Sequence, residues 1–400
     1  MDAPNNSFES VVESFGKLLH FEDADAIRVL LASIIANALP TDPVWLFLVA
    51  PSASSKSELV RALEIIPNTL MLSSLTPQTF ISGMRTGEGK PDPSLLNNKD
   101  HVRLGTVFLL KDFTTILNMR LETKAEIMAQ LREIFDGKIS KAFGTGVLCE
   151  WEGKVGFISG VTYEIEDAIM TNSKFGDRFL YYKLNATDTR KAMKKVKSVL
   201  GTEKELRKNI TEKVRDYYAS VVRGGEVSVP DLPESVQDGL MELCCLVVKA
   251  RGAVARNSYS KDIERVSQAE SPMRMFKELL ALGQGLSVLR GGTWDDADWK
   301  VLAKVAYDAV PSWRVEVLNL LAKQESMMGT NEVGVILKRP TRTMRPVLED
   351  LECFGLVDKN AETRVEGEAY KWMLSADARK MLMYLETQTP KPIPEQPAFL

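Results

Sequence analysis

Six large apolar residues in a row, Val44, Trp45, Leu46, Phe47, Leu48 and Val49, run straight into a loop of small residues. That loop closes on Lys56-Ser57, and Glu58, Leu59, Val60, Ala62 and Leu63 then continue with helical spacing. A buried strand feeding a tight loop and a helix is the layout of a phosphate-binding P-loop, in which loop amides and the helix start face the phosphates. The binding stretch is Ala50, Pro51, Ser52, Ala53, Ser54, Ser55, Lys56 and Ser57. In this reading Lys56 reaches the outer phosphates of ATP and the Ser57 hydroxyl holds Mg²⁺. The pattern G-x-x-x-x-G-K-[ST] would place glycines where Ala50 and Ser55 stand. Ser55 fits if its φ is negative; Ala50 is the harder substitution, because glycine lets the backbone turn and approach a ligand. The competing reading is an ordinary strand, loop and helix with a surface Lys-Ser.

Residues 41–186 alternate short apolar runs with helical stretches, which predicts a P-loop core with a parallel sheet flanked by helices. The expected strands after the loop are Thr69–Leu72, Gly105–Leu110, Lys154–Ser159 and Phe179–Leu184, with an amphipathic helix over Leu121–Phe135. Residues 1–40 read as two helices that pack on this core. Residues 187–310 read as a helical lid, with helices near 234–251, 261–265 and 272–289 and a last one capped by Thr293. Residues 311–385 follow the order helix, helix, recognition helix and β-wing of a winged helix-turn-helix. There Asn331 caps the second helix, with Val333, Ile336 and Leu337 inward, and Pro346 interrupts the third. Residues 386–400 are Pro-rich and read as a disordered tail.

A P-loop ATPase also needs an acid at the end of a neighbouring strand to hold Mg²⁺. Asp112 follows the run Thr106–Leu110 and Lys111; a strand-ending Asp in a turn is the other reading. The next position, where many such enzymes carry a water-positioning Glu, holds Phe113, and Glu133 is a weak substitute inside LREIF. Thr162 ends the run GFISGVT, as a contact for the γ-phosphate or lytic water or as a turn-capping hydroxyl. Arg178, in FGDRF, is a candidate arginine finger supplied to a neighbouring subunit, or a surface ion pair with Asp177 or another acid. Arg274 opens a helix behind Ser271 and Pro272 that is able to face a nucleotide.

In this order the parts resemble the AAA+ ATPases, and within them the minichromosome-maintenance helicases and their relatives. Ser54-Ser55-Lys56-Ser57-Glu58 resembles the small residue before Lys-Ser in that branch's P-loop, and Ala50 departs from its glycine. Leu131–Gly146 (LREIFDGKISKAFGTG) resembles its helix and β-hairpin, and Arg178-Phe179 its Arg-Phe element. The resemblance implies the finger role for Arg178, a second-domain arginine at Arg274, the Mg²⁺ acid at Asp112 and a polar sensor near Thr162. It covers residues 44–184 and, more loosely, 255–310. The layout is also similar to uncharacterised bacterial and mobile-element ATPases with a C-terminal winged helix, and the N-terminal DNA-binding domain of replicative helicases is missing.

The resemblance implies a homo-oligomeric ring or filament with ATP and Mg²⁺ between subunits, acting on DNA in replication, transposition or mobile-element maintenance. Phe113 and Ala50 keep open a nucleotide-binding assembly switch with little hydrolysis. A winged-helix DNA-binding regulator with a degenerate ATPase core is the third reading. The net charge of −3 over 400 residues supplies no global attraction to nucleic acid, so DNA contact must be local. Lys338, Arg339, Arg342 and Arg345 cluster at the start of the third helix, where such a module meets DNA, although Glu349, Asp350 and Glu352 follow. Four cysteines and two histidines show no metal or disulfide spacing. The apolar run Val29–Leu39 is too short to span a bilayer and no signal-like leader is read, so a cytoplasmic protein without membrane contact is expected.

Overall fold

The computed structural model describes residues 7–52, 54–83, 94–171, 178–222, 229–257, 259–260, 262–360 and 370–388. Two helices come first, α1 (Phe8–Leu18) and α2 (Ala24–Ala38), each started by a side chain that accepts a backbone N–H, from Ser7 and Asp23. Then follow β1 (Trp45–Val49), α3 (Lys56–Ala62), β2 (Thr69–Leu72), β3 (Thr106–Leu110), α4 (Thr114–Leu117) and α5 (Leu121–Phe135). The hairpin β4 (Lys138–Ala142) and β5 (Leu148–Glu152), β6 (Val155–Val161), α6 (Glu164–Thr171) and β7 (Leu180–Lys183) complete this part.

The large sheet has the order β2-β3-β6-β1-β7 and every pairing in it is parallel. Strands β1, β3 and β6 are buried along their whole length, as unbroken apolar runs require when helices cover both faces. Aromatic packing fixes one face. Phe47 stacks on Phe179 with ring centroids 3.8 Å apart, and Trp45 packs edge-on against Phe135 at 5.2 Å. The indole N–H of Trp45 donates to Val155 O at 2.8 Å, so the largest core side chain carries no unpaired polar atom. Across the other face lies α2, whose Asn37 amide fills the space where Gly156 has no side chain.

The helical region holds α7 (Thr189–Val199), α8 (Glu203–Val221), α9 (Glu234–Ala250), α10 (Met273–Leu289) and α11 (Asp296–Asp308). It also holds a hairpin, β8 (Val254–Arg256) with β9 (Ile263–Val266). Residues 261–265, expected as helix, therefore contribute a strand. Asn257 accepts from the amides of Tyr259 and Ser260, a turn that closes the chain back on itself before any helix begins. Asp295, not Thr293, caps α11, with Asp298 returning a bond in a capping box. The Thr293 hydroxyl instead donates to Arg290 O at the end of α10.

The C-terminal part has α12 (Ser312–Ala322), β10 (Met328–Gly329), α13 (Thr330–Ile336), α14 (Thr341–Cys353), β11 (Val357–Lys359), β12 (Lys371–Leu374) and α15 (Ala376–Gln388). Its strands pair antiparallel in the order β10-β12-β11. Asn331 lies inside α13, which starts after Gly329; the Asn331 side chain accepts from the Thr341 hydroxyl instead. Ile336 is 54% exposed rather than inward, while Val333 is fully buried. Pro346 is an interior residue of α14 and leaves the Arg342 carbonyl without its helical donor.

The helical region meets the core where α10 crosses α2. A Cβ on Gly285 would fall 2.3 Å from the Ala32 carbonyl oxygen, so the two backbones approach as only glycine permits. Gly285→Ala should force these helices apart and destabilise the fold by about 1–3 kcal/mol. Chemical denaturation followed by circular dichroism measures it.

Candidate functional site

The loop after β1 starts at the carboxyl end of the sheet, the side on which open α/β sheets bind ligands. Ala50 continues the β1 ladder, its N–H bonding to Val161 O at 3.2 Å. Ser55 precedes α3 with φ −68° and ψ −3°, the negative φ that a serine tolerates. Among described non-glycine residues only Asn68 and Lys338 have positive φ. Ala50 and Ser55 thus hold their places without the backbone freedom that glycine supplies. Ala53 lies outside the described residues.

Lys56 is the first residue of α3 and only 7% exposed. Its ammonium donates to the carbonyls of Ala50 and, at 2.7 Å, of Pro51, so the loop is wrapped around it. Its methylenes cross Gly160, where an added Cβ would lie 3.4 Å from Lys56 Cβ and 2.9 Å from Lys111 O. Gly160 is therefore the position where the sheet makes room for the lysine. Burial pushes the Lys56 ammonium below its ordinary range, and the nearby Asp112 carboxylate opposes that shift. Among the described residues Lys56 forms no salt bridge. Beside it the Ser54 hydroxyl is buried without a hydrogen-bond partner, while Ser57 is exposed in the first turn of α3.

Asp112 is exposed, and its Oδ1 accepts the Thr114 amide at 2.9 Å, which starts α4. The strand acid lies near enough to the loop lysine for its charge to act on it, without a salt bridge among the described residues, and one carboxylate oxygen is engaged locally. Phe113 turns the other way. Its amide donates to Gly160 O at 2.7 Å, and its ring is fully buried, 4.7 Å from that of Phe47. The position after the strand acid is a core position in this chain, closed to a water-positioning carboxylate. Thr162 reaches the same rim. The Thr114 hydroxyl donates to the Thr162 hydroxyl at 3.3 Å and accepts the Thr162 amide at 3.1 Å. Gly160 and Thr114 are the residues that sequence reasoning missed. Gly160 stands in GFISGVT with nothing to mark which neighbour needs its space, and the Thr114–Thr162 pair joins residues 48 apart.

The two candidate arginines are held elsewhere. Arg178 pairs with Asp136, just beyond α5, at 3.0 Å, and its guanidinium lies over the Phe135 ring at 5.9 Å. Asp177, the other partner named from sequence, lies outside the described residues. Arg274 sits half-buried in the first turn of α10, whose cap is Pro272 and whose first residue is Met273, one place later than expected.

In the C-terminal part, Lys338 is exposed with φ 53° in the turn between α13 and α14. Arg339 lies 5.4 Å over the Trp313 ring and 3.6 Å from Glu316, a packing role. Arg345 pairs with Glu349 at 2.8 Å, whereas Arg342 is exposed and has no ion-pair partner among the described residues. The acids further along α14 are neutralised from behind. Asp350 receives Arg256 at 2.7 Å and the buried Arg314 at 2.9 Å; Glu349 receives Arg256 at 3.0 Å; Glu352 receives Lys359. Arg314 also donates to the carbonyls of Ala250 and Gly252, which ties α14 to the end of α9.

Compared with models of known protein families the chain matches none, and compared with curated proteins it again finds no match. Among the described residues no group of three or more His, Cys, Asp or Glu side chains could hold a metal ion, and no helix is long and apolar enough to cross a membrane.

Placing a carboxylate after Asp112 should damage the fold rather than create a base. Phe113→Glu removes a core ring and buries a charge, so it should cost roughly 3 kcal/mol or more. A lowered denaturation midpoint with no gain in ATP turnover is the expected result.

Proposed function

We propose that the chain is a P-loop nucleotide-binding protein of the AAA+ kind, taking ATP with Mg²⁺ at the carboxyl end of its parallel sheet and acting on DNA. The observation that carries this reading is the buried Lys56 ammonium. It is wrapped by the carbonyls of its own loop, next to the partnerless Ser54 hydroxyl and within the field of Asp112. Two neutral carbonyls accept from two of its three N–H groups, and neither offsets its charge. Phosphate oxygens in their place accept from the same N–H groups and add the opposing charge that the carbonyls lack. Ser54 supplies one more donor in the same loop. Ser57 and the free oxygen of Asp112 would hold the metal, whose charge offsets that of the phosphates.

Phe113 favours slow turnover, and so an assembly switch in which ATP binding matters more than hydrolysis. The finger role of Arg178 requires a neighbouring subunit and release from Asp136. The proposed lid is the helical region, and the proposed winged helix is the C-terminal part, with α14 as recognition helix. Lys338 and Arg342 are the exposed cations at its start, Arg345 joins them once released from Glu349, and the acids behind them face arginines and lysine of the same chain.

Lys56→Ala should weaken ATP binding about 10- to 100-fold, the worth of one or two charge-assisted bonds, as measured by calorimetric titration. Equal ATP affinity in both proteins would remove the reading. Measured turnover near zero with intact binding supports the switch; fast turnover supports an ATPase that works on DNA as a helicase-like motor. Arg342→Ala should lower DNA affinity and reduce the slope of log affinity against log salt by about 1. If that loss appears while Lys56→Ala leaves DNA binding unchanged with and without ATP, the regulator with a degenerate core is the correct reading.

A further inference from the structure

Two helices of the helical region leave outward faces uncovered, and the faces are opposite in charge. The first is α7. Val199 is its buried residue, and it rests against α1. Most of the remaining surface is open, and on a 3.6-residue turn it divides into two adjoining stripes. Arg190, Lys194 and Lys197 form a basic row, flanked by Lys191 and by the half-buried Lys195. Met193, Val196 and Leu200, just past the helix end, form an apolar row; they are 60%, 58% and 66% exposed. Among the described residues the one ion pair of these five cations is Lys191 with Glu22, at 4.0 Å.

The second face is on α9. Its inner side packs on α10, α11 and α15. Its outer side carries Glu234, Asp238 and Glu242 at helical spacing, with Met241, 47% exposed, among them. None of the three acids has an ion pair among the described residues. The row from Arg190 to Lys197 spans roughly 10 Å and that from Glu234 to Glu242 roughly 12 Å at the α-helical rise. The two rows therefore match in length and are opposite in sign, with three exposed apolar side chains beside the first and Met241 beside the second. Within one chain α7 lies on α1 and α9 lies on α10, so the two faces have no partner in each other.

We propose that α7 of one copy of this chain docks on α9 of the next. The contact uses different patches on the two sides, so it is head-to-tail, and repeating it closes a ring or extends a filament. Lys194 and Lys197 facing Asp238 and Glu242 set register and choice of partner, while Met193, Val196 and Leu200 pack around Met241. The inference rests on charge and exposure alone and stands whether or not ATP binds at Lys56.

A double charge swap tests it. K194E/K197E and D238K/E242K are made in the full chain, and solution mass is measured over a concentration series, at low and high salt. All four side chains lie on open helix faces, so both variants should keep the wild-type circular dichroism spectrum and melting temperature. Wild type should form species larger than a monomer, and high salt should weaken them. Each variant alone should be monomeric at concentrations where wild type assembles. The two variants mixed should recover assembly, because every reversed α7 then meets a reversed α9. Wild type that stays monomeric throughout overturns the proposal, as does assembly unchanged in both variants or no recovery on mixing. Binding of wild type to phosphatidylserine vesicles or to duplex DNA, lost in K194E/K197E with solution mass unchanged, also overturns it and gives the α7 face to that partner.

Discussion

A lysine ammonium shut inside its own loop organises the carboxyl edge of the sheet. Lys56 needs three things that the surrounding sequence provides. It needs carbonyls turned inward, from Ala50 and Pro51; a gap in the sheet, at Gly160; and a carboxylate close enough to oppose part of the desolvation, at Asp112. Each comes from a different strand end, β1, β6 and β3. The parallel order β2-β3-β6-β1-β7 is what brings those ends to one side. The arrangement leaves the ammonium with two carbonyl acceptors and its charge under-compensated, the state that makes a loop receptive to an anion.

The aromatic face of the sheet stabilises this edge and also limits it. Phe47, Phe113, Phe157 and Phe179 pack together beneath the loop, and the Phe113 amide is fixed by Gly160. That packing holds the turn from which Asp112 projects. It also claims the position after Asp112 for a buried ring, which leaves no room there for a second acid. The Thr114–Thr162 pair links the turns after β3 and β6 and adds a polar rim to the same edge.

The sheet was legible in sequence because each strand is an apolar run ended by turn residues, and buried parallel strands need nothing subtler. The strand, loop and helix were legible because a short run of small residues joins the apolar run to Lys56-Ser57 and a helical pattern. Ser55 and Ala50 stand where the pattern has glycines and keep a negative-φ backbone, which no sequence pattern shows. What sequence could not give were pairings across distance. Asp350 beside Glu349 and Glu352 reads as repulsion toward phosphate, yet Arg256 and Arg314, about a hundred and about forty residues away along the chain, neutralise it. Local choices failed where two polar residues competed. Thr293 and Asp295 both suit a cap, and the charge-assisted capping box of Asp295 with Asp298 wins. The β8–β9 hairpin was hidden because Ile263 and Val266 suit either helix or strand over so short a run.

The proposed nucleotide site depends on Lys56 exchanging its loop carbonyls for phosphate oxygens. A crystal structure of the chain with a non-hydrolysable ATP analogue and magnesium tests that directly. The expected result is a Lys56 ammonium that has left the carbonyls of Ala50 and Pro51 for phosphate oxygens, with Ser54 also donating to them. An analogue bound away from this loop, with Lys56 still held by those carbonyls, would contradict it.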